Sequence, residues 1–571
     1  MADRNHTYRK SQREARAFPR KRAVAACRVC RTRKIKCDNA RPQCASCRAT
    51  DAHCVYEQYP DISKFDPASI LILERLDQIQ QSLDATPPSP PRGVVRPVLC
   101  LQIPAARIGP DAILGWPVFR DASSPGTLNH LVLTAREPAP PPSPGDAPLD
   151  LIPIVGLVDL FLQHVHVKNP VLNTSFLSQS AGRLADHGLR WDGLTALVLL
   201  AAALGCLAAP LHYRDVPPLR PELGARLYEE ALKRISLSTD QLLSAQCWFF
   251  SGVYQMYQFN PATAWTHFSH ASSILSLRLS WKKAVHEEKS TPLQLDPEEL
   301  ALYWSCWKSE CELRAELPVP NTVLSSFSVS DIHPVPPNPE LFSSANVPAP
   351  IDTEDWRLLY ETSWYYYLSD ISLKRLEAQI LNTLYGPSGH QWDTSQLPML
   401  SRTVADFELQ LDQWFENLPS IIRFEEWDEA PRQELIYNLQ ARVLELRSWL
   451  YQPFVYYAVH HGLPDDPTPD LERFVQKAIS CSFHIIQSKP TRHRHHGSWF
   501  AARNVVSSAL IILAAVKATD LVDYLVDWPD LIAQAVSCLD HWASDAPDLG
   551  QAKGILQALG DTVLQGGIDV R

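Results

Sequence analysis

Along this 571-residue chain the apolar positions change rhythm more than once. From about Pro153 onward they recur at helical spacing. The windows 192–209, 222–237, 241–257, 263–280, 356–386, 399–417, 432–461, 470–488, 498–518 and 530–545 each predict a helix. Asp296-Pro297-Glu298-Glu299 marks a further start. Asp296 can cap, Pro297 suits the first turn and Glu299 can close a capping box, with the helix running to about Leu317. Convincing alternating strands and a repeat of fixed period are both absent. The expected fold class is mostly α, with one large all-α domain over residues 151–571, interrupted by a proline-rich loop near 318–352. Leu194–Leu211 and Ser507–Val516 are nearly all apolar. The first is alanine-rich and ends at Pro210, and charged, amphipathic segments surround it. It reads as a buried core helix, and no membrane span is expected.

Upstream the rhythm breaks. Phe65, Ile72, Leu76, Ile79 and Leu83 form an apolar stripe whose steps fit heptad positions. Two to three heptads make a marginal coiled coil, so residues 55–84 read as a linker and dimerisation helix. An amphipathic helix packed on its own chain is the alternative. Residues 85–150 hold 15 prolines, including the runs PPSPP and PAPPPSPG, and read as a linker from which pieces such as Ala112–Phe119 could dock locally. Residues 1–26 are polar and basic and are expected to be a disordered arm, without the apolar run of a secretory signal.

Composition adds one large asymmetry. The chain is 45% hydrophobic and 20% charged, so most of it is expected to be globular. Its net charge is −10, yet residues 1–60 carry 15 basic and 5 acidic side chains, a balance of +10. The rest balances to −20, so the N-terminal end is the part suited to a polyanion.

Six of the 13 cysteines fall in that basic end: Cys27, Cys30, Cys37, Cys44, Cys47 and Cys54. Their spacing is C-x2-C-x6-C, a six-residue join, and C-x2-C-x6-C again. One tetrahedral zinc would leave two thiols idle. Two tetrahedral zincs need eight ligand positions, which six thiolates supply if two of them bridge. The other seven cysteines (Cys100, Cys206, Cys247, Cys306, Cys311, Cys481 and Cys538) are scattered, and read as free buried thiols of a reduced, intracellular protein.

The stretch from about 24 to 57 resembles the fungal zinc binuclear cluster family, the C6 zinc-cluster transcription factors. Every gap fits, and the likeness extends to Pro42 in the joining loop. The resemblance implies that Cys27 and Cys44 bridge two zinc ions in a 27–54 DNA-binding domain. A segment this short buries little apolar surface, so zinc binding is expected to drive its folding.

The two halves differ in charge. Arg31-Thr32-Arg33-Lys34-Ile35-Lys36 carries four cations and no acid, whereas Arg48-Ala49-Thr50-Asp51-Ala52-His53 carries one cation and one acid. Two zincs and six thiolates sum to about −2, so some cationic surround is needed in any case. Four clustered cations exceed that need, and Lys and Arg are the usual readers of guanine edges. The resemblance implies a short helix entering the major groove of double-stranded DNA, with Lys34 reading a CGG-type triplet and Arg33 helping. Lys36, Arg31, Arg28 and Arg48 then fall to phosphate contact, and Ile35 is expected to pack inward. A homodimer would read two triplets, with residues 55–64 setting their spacing. Arg20, Lys21 and Arg22 form a candidate nuclear import signal or a phosphate-gripping arm.

Val158–Leu162 with His164 and His166, Trp265, and Tyr303–Lys308 resemble the middle homology region of fungal transcription factors, over roughly 155–390. This implies a regulatory domain, a possible small-molecule effector and contact with the transcription machinery. No G-x-S-x-G, glycine-rich phosphate loop or H-E-x-x-H occurs, so no catalysis is expected. His493, His495 and His496 lie in a basic hexapeptide expected to be a solvated turn. Asp520, Asp523, Asp527 and Asp530 alternate with bulky apolar residues, reading as an amphipathic helix or an activation segment. The reading is a nuclear regulator of RNA polymerase II transcription, of the kind that governs metabolic or secondary-metabolite gene clusters. The alternative is a ligand-binding or scaffold protein whose zinc cluster is not used on DNA.

Overall fold

The computed structural model describes residues 27–54 except 39, 41 and 51, then 108–120, 127–134, 153–208, 221–288, 295–326, 353–385, 397–424, 433–462, 469–487, 493–518 and 527–568. The stem at 65–83, the import candidate at 20–22 and the acidic stretch up to residue 526 lie outside the described residues. The chain divides into two compact units, Met1–Glu74 and Arg75–Arg571.

The first unit carries two one-turn helices, α1 (Arg28–Thr32) and α2 (Ala45–Ala49). The second is all helical among its described residues. Its helices are α3 (Pro110–Leu114), α4 (Thr127–Leu133), α5 (Ile154–His164), α6 (Thr174–His187), α7 (Gly193–Leu207) and α8 (Pro221–Ile235). There follow α9 (Gln241–Tyr257), α10 (Pro261–Glu288), α11 (Pro297–Glu316), α12 (Thr353–Leu384), α13 (Leu397–Glu416) and α14 (Glu434–His461). The chain closes with α15 (Pro469–Gln487), α16 (Ser498–Lys517), α17 (Trp528–Trp542) and α18 (Pro547–Ile568).

Two apolar helices organise this body. α7 begins on Asp192, whose carboxylate accepts the Thr195 N–H at 2.8 Å, and is buried along nearly its whole length against α5, α8 and α9. α16 is the one helix among the described residues long and apolar enough to cross a membrane. Of its most apolar window 83% is buried, against α3, α14, α15, α17 and α18, as a soluble core helix would be. The capping box on Asp296 and Glu299 forms as expected and opens α11.

Sharp features have local causes. α9 and α10 form a hairpin whose corner holds Phe259 at φ +55, a left-handed conformation that costs a side chain about 1–2 kcal/mol. Phe259 stacks on Trp542 at 4.7 Å, and the Arg494 guanidinium sits 5.1 Å from its ring, so packing holds the turn. Pro453 lies inside α14 and cannot donate to the Trp449 carbonyl; the Tyr385 hydroxyl donates to that carbonyl instead, at 2.7 Å.

α5 and α7 approach so closely that a Cβ on Gly205 would stand 1.9 Å from the Leu157 carbonyl oxygen. Gly205→Ala is therefore expected to force the helices apart, costing about 1–3 kcal/mol in a thermal or urea unfolding series. An unchanged midpoint would remove this close approach.

Ala112–Phe119 docks as expected, with more of its stretch than expected, while the reading of the histidine turn needs correction. Within the proline-rich stretch 85–150, residues 108–120 and 127–134 fold onto the body, burying Ile113, Leu114, Trp116, Phe119 and Leu128. The local apolar content outweighs the prolines, which open helices at Pro110 and Pro117. The hexapeptide holding His493, His495 and His496 is not a solvated turn. His495 is buried, His493 reaches Glu434 at 3.1 Å and Arg494 pairs with Asp545.

Candidate metal centre and nucleic-acid interface

The duplicated C-x2-C-x6-C unit folds as a duplicated turn. Cys27 immediately precedes α1, as Cys44 precedes α2. In each half an N–H five residues on returns to the second cysteine: Ile35 to the Cys30 carbonyl and Ala52 to the Cys47 carbonyl, both at 3.0 Å. In the first half this closes a left-handed helix cap with Lys34 at φ +53, in the position a glycine most often fills.

Cys44 caps α2 through its sulfur, which accepts the Cys47 N–H at 3.4 Å, and its own N–H donates to the Cys54 Sγ at 3.3 Å. Asp38 reaches back to accept the Ala45 N–H at 3.1 Å, and the Ser46 hydroxyl donates to the Lys36 carbonyl at 3.1 Å. The join between the halves is thus tied to the start of α2.

Every sulfur turns to one centre. Cys27, Cys30, Cys37 and Cys44 bring their Sγ atoms within 4.8 Å of one another, and so do Cys27, Cys44, Cys47 and Cys54. Two quartets share two members, and the shared members are Cys27 and Cys44. Closest separations are 3.7 Å for Cys27–Cys44, 3.5 Å for Cys27–Cys47 and 3.6 Å for Cys30–Cys44. Zn–S bonds of about 2.3 Å in a tetrahedron set sulfurs about 3.8 Å apart, whereas a disulfide needs about 2.05 Å. The donor set and its spacing fit two tetrahedral zinc ions bridged by two thiolates.

The thiols also tune one another. Burial pushes Cys30 up to about 12. At Cys44 burial is outweighed by the Cys47 N–H and the neighbouring thiols, which hold it down to about 6. Beyond the cysteines, only Val29 and Ala52 pack on this core among the described residues.

Residues 25–61 match the model of the fungal Zn(2)-Cys(6) binuclear cluster domain. The segment is a fungal zinc-cluster domain. Two zinc ions are the cofactor of such a domain, and the six sulfurs here are placed to hold them. Beyond the zinc-cluster domain the chain is similar to a protein of Aspergillus rugulosus described as "Putative transcription factor ecdB". The identity is 24% over 508 residues, covering 81% of this chain and 83% of the relative. No solved structure matches the chain significantly. Domain and relative together support a fungal transcription regulator.

Around the zinc cluster, Arg33, Lys34 and Lys36 are exposed on the first half. Arg28 lies on α1 and Arg31 on the same turn, their side chains outside the described residues. Arg48 is exposed on α2 and donates to the Gln43 carbonyl at 3.3 Å. Ile35 is 45% exposed, against the inward packing expected of it. The cluster interior is filled by sulfur, which leaves the aliphatic residue outside, among the cations. The sequence also missed the helix cap at Lys34, because that position carries neither glycine nor asparagine.

Proposed function

We propose that this protein is a nuclear, sequence-specific regulator of RNA polymerase II transcription that reads CGG-type triplets through the first half of its zinc cluster. The observation that carries the reading is a six-cysteine core, spaced for two zincs, with Arg33, Lys34 and Lys36 exposed together on its first half. Lys34 is the candidate reader of guanine O6 and N7, and Arg33 its helper. Lys36, Arg31, Arg28 and Arg48 serve phosphates, which supply affinity and salt dependence without sequence preference. Cys27, Cys30, Cys37, Cys44, Cys47 and Cys54 serve as the ligands. A homodimer formed through residues 65–83 would double the recognised triplet. Arg20, Lys21 and Arg22 would direct the chain to the nucleus. The helical body from 151 onward takes the regulatory part, on metabolic or secondary-metabolite genes.

The test is selection from random-sequence DNA with the full chain and with Lys34→Ala. The native chain is expected to enrich paired CGG-type triplets. Lys34→Ala is expected to weaken the selected site by about 1–3 kcal/mol, roughly 5- to 150-fold, with both zincs retained. Lys36→Ala is expected instead to weaken all sequences alike and to reduce the salt slope by about one. Enrichment that survives Lys34→Ala would remove the reader. No enrichment by a zinc-loaded native chain would favour a scaffold whose cluster does not meet DNA.

A further inference from the structure

The histidine turn that the DNA reading leaves unused borders a cavity. This partly open cavity lies among α12, α14, α15 and α16 and has a volume of about 80 Å³. It is built by long-range ties. The Glu434 carboxylate takes Lys168 at 2.6 Å as well as His493. Arg494 donates to the Tyr257 carbonyl at 2.7 Å, and the His495 N–H donates to the Ser498 hydroxyl at 2.7 Å. His495 and His496 are thereby set into the cavity wall. Burial, reinforced by Lys168, depresses His496 to about 4, so it stays neutral.

The charges facing the space are already matched. Arg442 pairs with Glu312 and, at 3.2 Å, with Glu445, while Lys308 behind them pairs with Asp370 at 2.6 Å. The other polar groups are neutral. Tyr366, Tyr437, Asn438 and Asn504 line the cavity from three different helices. Both tyrosines are buried. Asn438 and Asn504 are half-buried, so these polar groups can meet water or a ligand's polar groups within the cavity. Between them, Leu444, Phe500 and Val505 give apolar walls.

We infer that this cavity is a binding site for a small uncharged molecule that joins an apolar, ring-like part to amide, carbonyl or hydroxyl groups. The ring-like part lies against Phe500 and Val505, and its polar end exchanges hydrogen bonds with Asn504, Asn438 and the Tyr437 hydroxyl. A ligand with net charge would meet only ions that are already paired, and its own charge would have no partner. The space has room for a few waters, which sets the size of the enclosed part. Such a ligand would bridge four helices of the body. The inference rests on the cavity and stands apart from the DNA reading.

The test uses the full chain and three probes of nearly one shape: benzamide, the anion benzoate and the cation benzamidine. Binding is followed by ligand-observed NMR and calorimetry. Benzamide is expected to bind, with the two ions at least about tenfold weaker. Asn504→Leu and Tyr437→Phe, which delete polar groups at near-constant volume, are each expected to weaken benzamide about two- to tenfold. Ala501→Trp, which fills the cavity, should abolish binding. Should that variant fail to fold, the two polar deletions decide. No benzamide binding up to its solubility limit, equal binding of either ion, or binding indifferent to both deletions would overturn the inference.

Discussion

Cys44→Ser is expected to release both zinc ions and to unfold the cluster domain, while Cys54→Ser retains about one zinc per chain. The difference follows from the shared geometry. Cys44 belongs to both sulfur quartets, whereas Cys54 belongs to one. A serine hydroxyl is a poor zinc ligand at neutral pH, so Cys44→Ser leaves each metal with three thiolates. The same substitution removes the sulfur that caps α2 by accepting the Cys47 N–H. Little else holds the segment together, because its core is cysteine with Val29 and Ala52 at the edge. Structural zinc contributes on the order of 10 kcal/mol or more to such folds, about the full stability of a small domain. DNA binding should fall to the level of a chelated sample, and the helical body, a separate compact unit, should keep its unfolding transition. The measurements are zinc per chain by elemental analysis, DNA affinity, and far-UV and thermal profiles. A Cys44→Ser chain that keeps two zincs would refute the bridging role. One that keeps one zinc and native DNA affinity would refute the dependence of fold on both metals.

The cluster was legible from sequence because metal coordination depends on residue identity and spacing, both printed in the chain. Ligand counting alone demanded two bridging sulfurs, and the two quartets share two. The helical body was legible where periodicity carries the signal. Gln241–Tyr257 matches its expected bounds, and most other windows fall within a few residues of theirs. Misses arose where a distant partner decides. The last turns of α10, past residue 280, look too polar to predict. Lys282 reaches Asp296 at 2.8 Å and Glu299 at 2.7 Å, so the start of the next helix supports the end of this one. Docking at Ala112–Phe119 was legible from its apolar content, but the part at 127–134 was hidden by proline content around it and by a partner 374 residues away, Arg503 on Asn129. The histidine turn read as solvated because its sequence is basic; the groups that draw it inward are distant in sequence, Glu434 at the start of α14 and Asp545 in the turn between α17 and α18. Asp296 through Glu299 shows the opposite case, since a capping box is satisfied within four residues and needs no partner elsewhere.

Arg503→Met is expected to destabilise the helical body by about 3–5 kcal/mol near pH 7. Arg503 is 1% exposed and joins four elements through one planar fork. Its Nε donates to Glu316 at 2.8 Å, and its two terminal nitrogens donate to Asp548 at 3.2 Å and to the Asn129 side-chain oxygen at 2.9 Å. Asp111 lies 3.9 Å from the guanidinium, and its carboxylate accepts the backbone N–H groups of Leu128 at 3.2 Å and Asn129 at 2.7 Å. Methionine keeps much of the volume and withdraws the positive charge from three buried carboxylates. The pH dependence carries the signature. Burial already raises the Asp548 carboxyl above its ordinary range, even with Arg503 beside it. Without Arg503 the Asp548 carboxyl is held more strongly in its protonated form when folded than when unfolded. A group with a raised folded pKa favours folding below its unfolded pKa and loses that contribution as pH rises. The deficit should therefore be largest near neutrality and shrink as pH falls from about 7 towards about 5. Arg503→Lys keeps the charge without the fork, so it should lie between the two. Loss of the tie should also expose residues 108–120 and 127–134 to protease before the rest of the body. A loss under about 1 kcal/mol, or one that does not change with pH, would mean that packing rather than charge seats that segment.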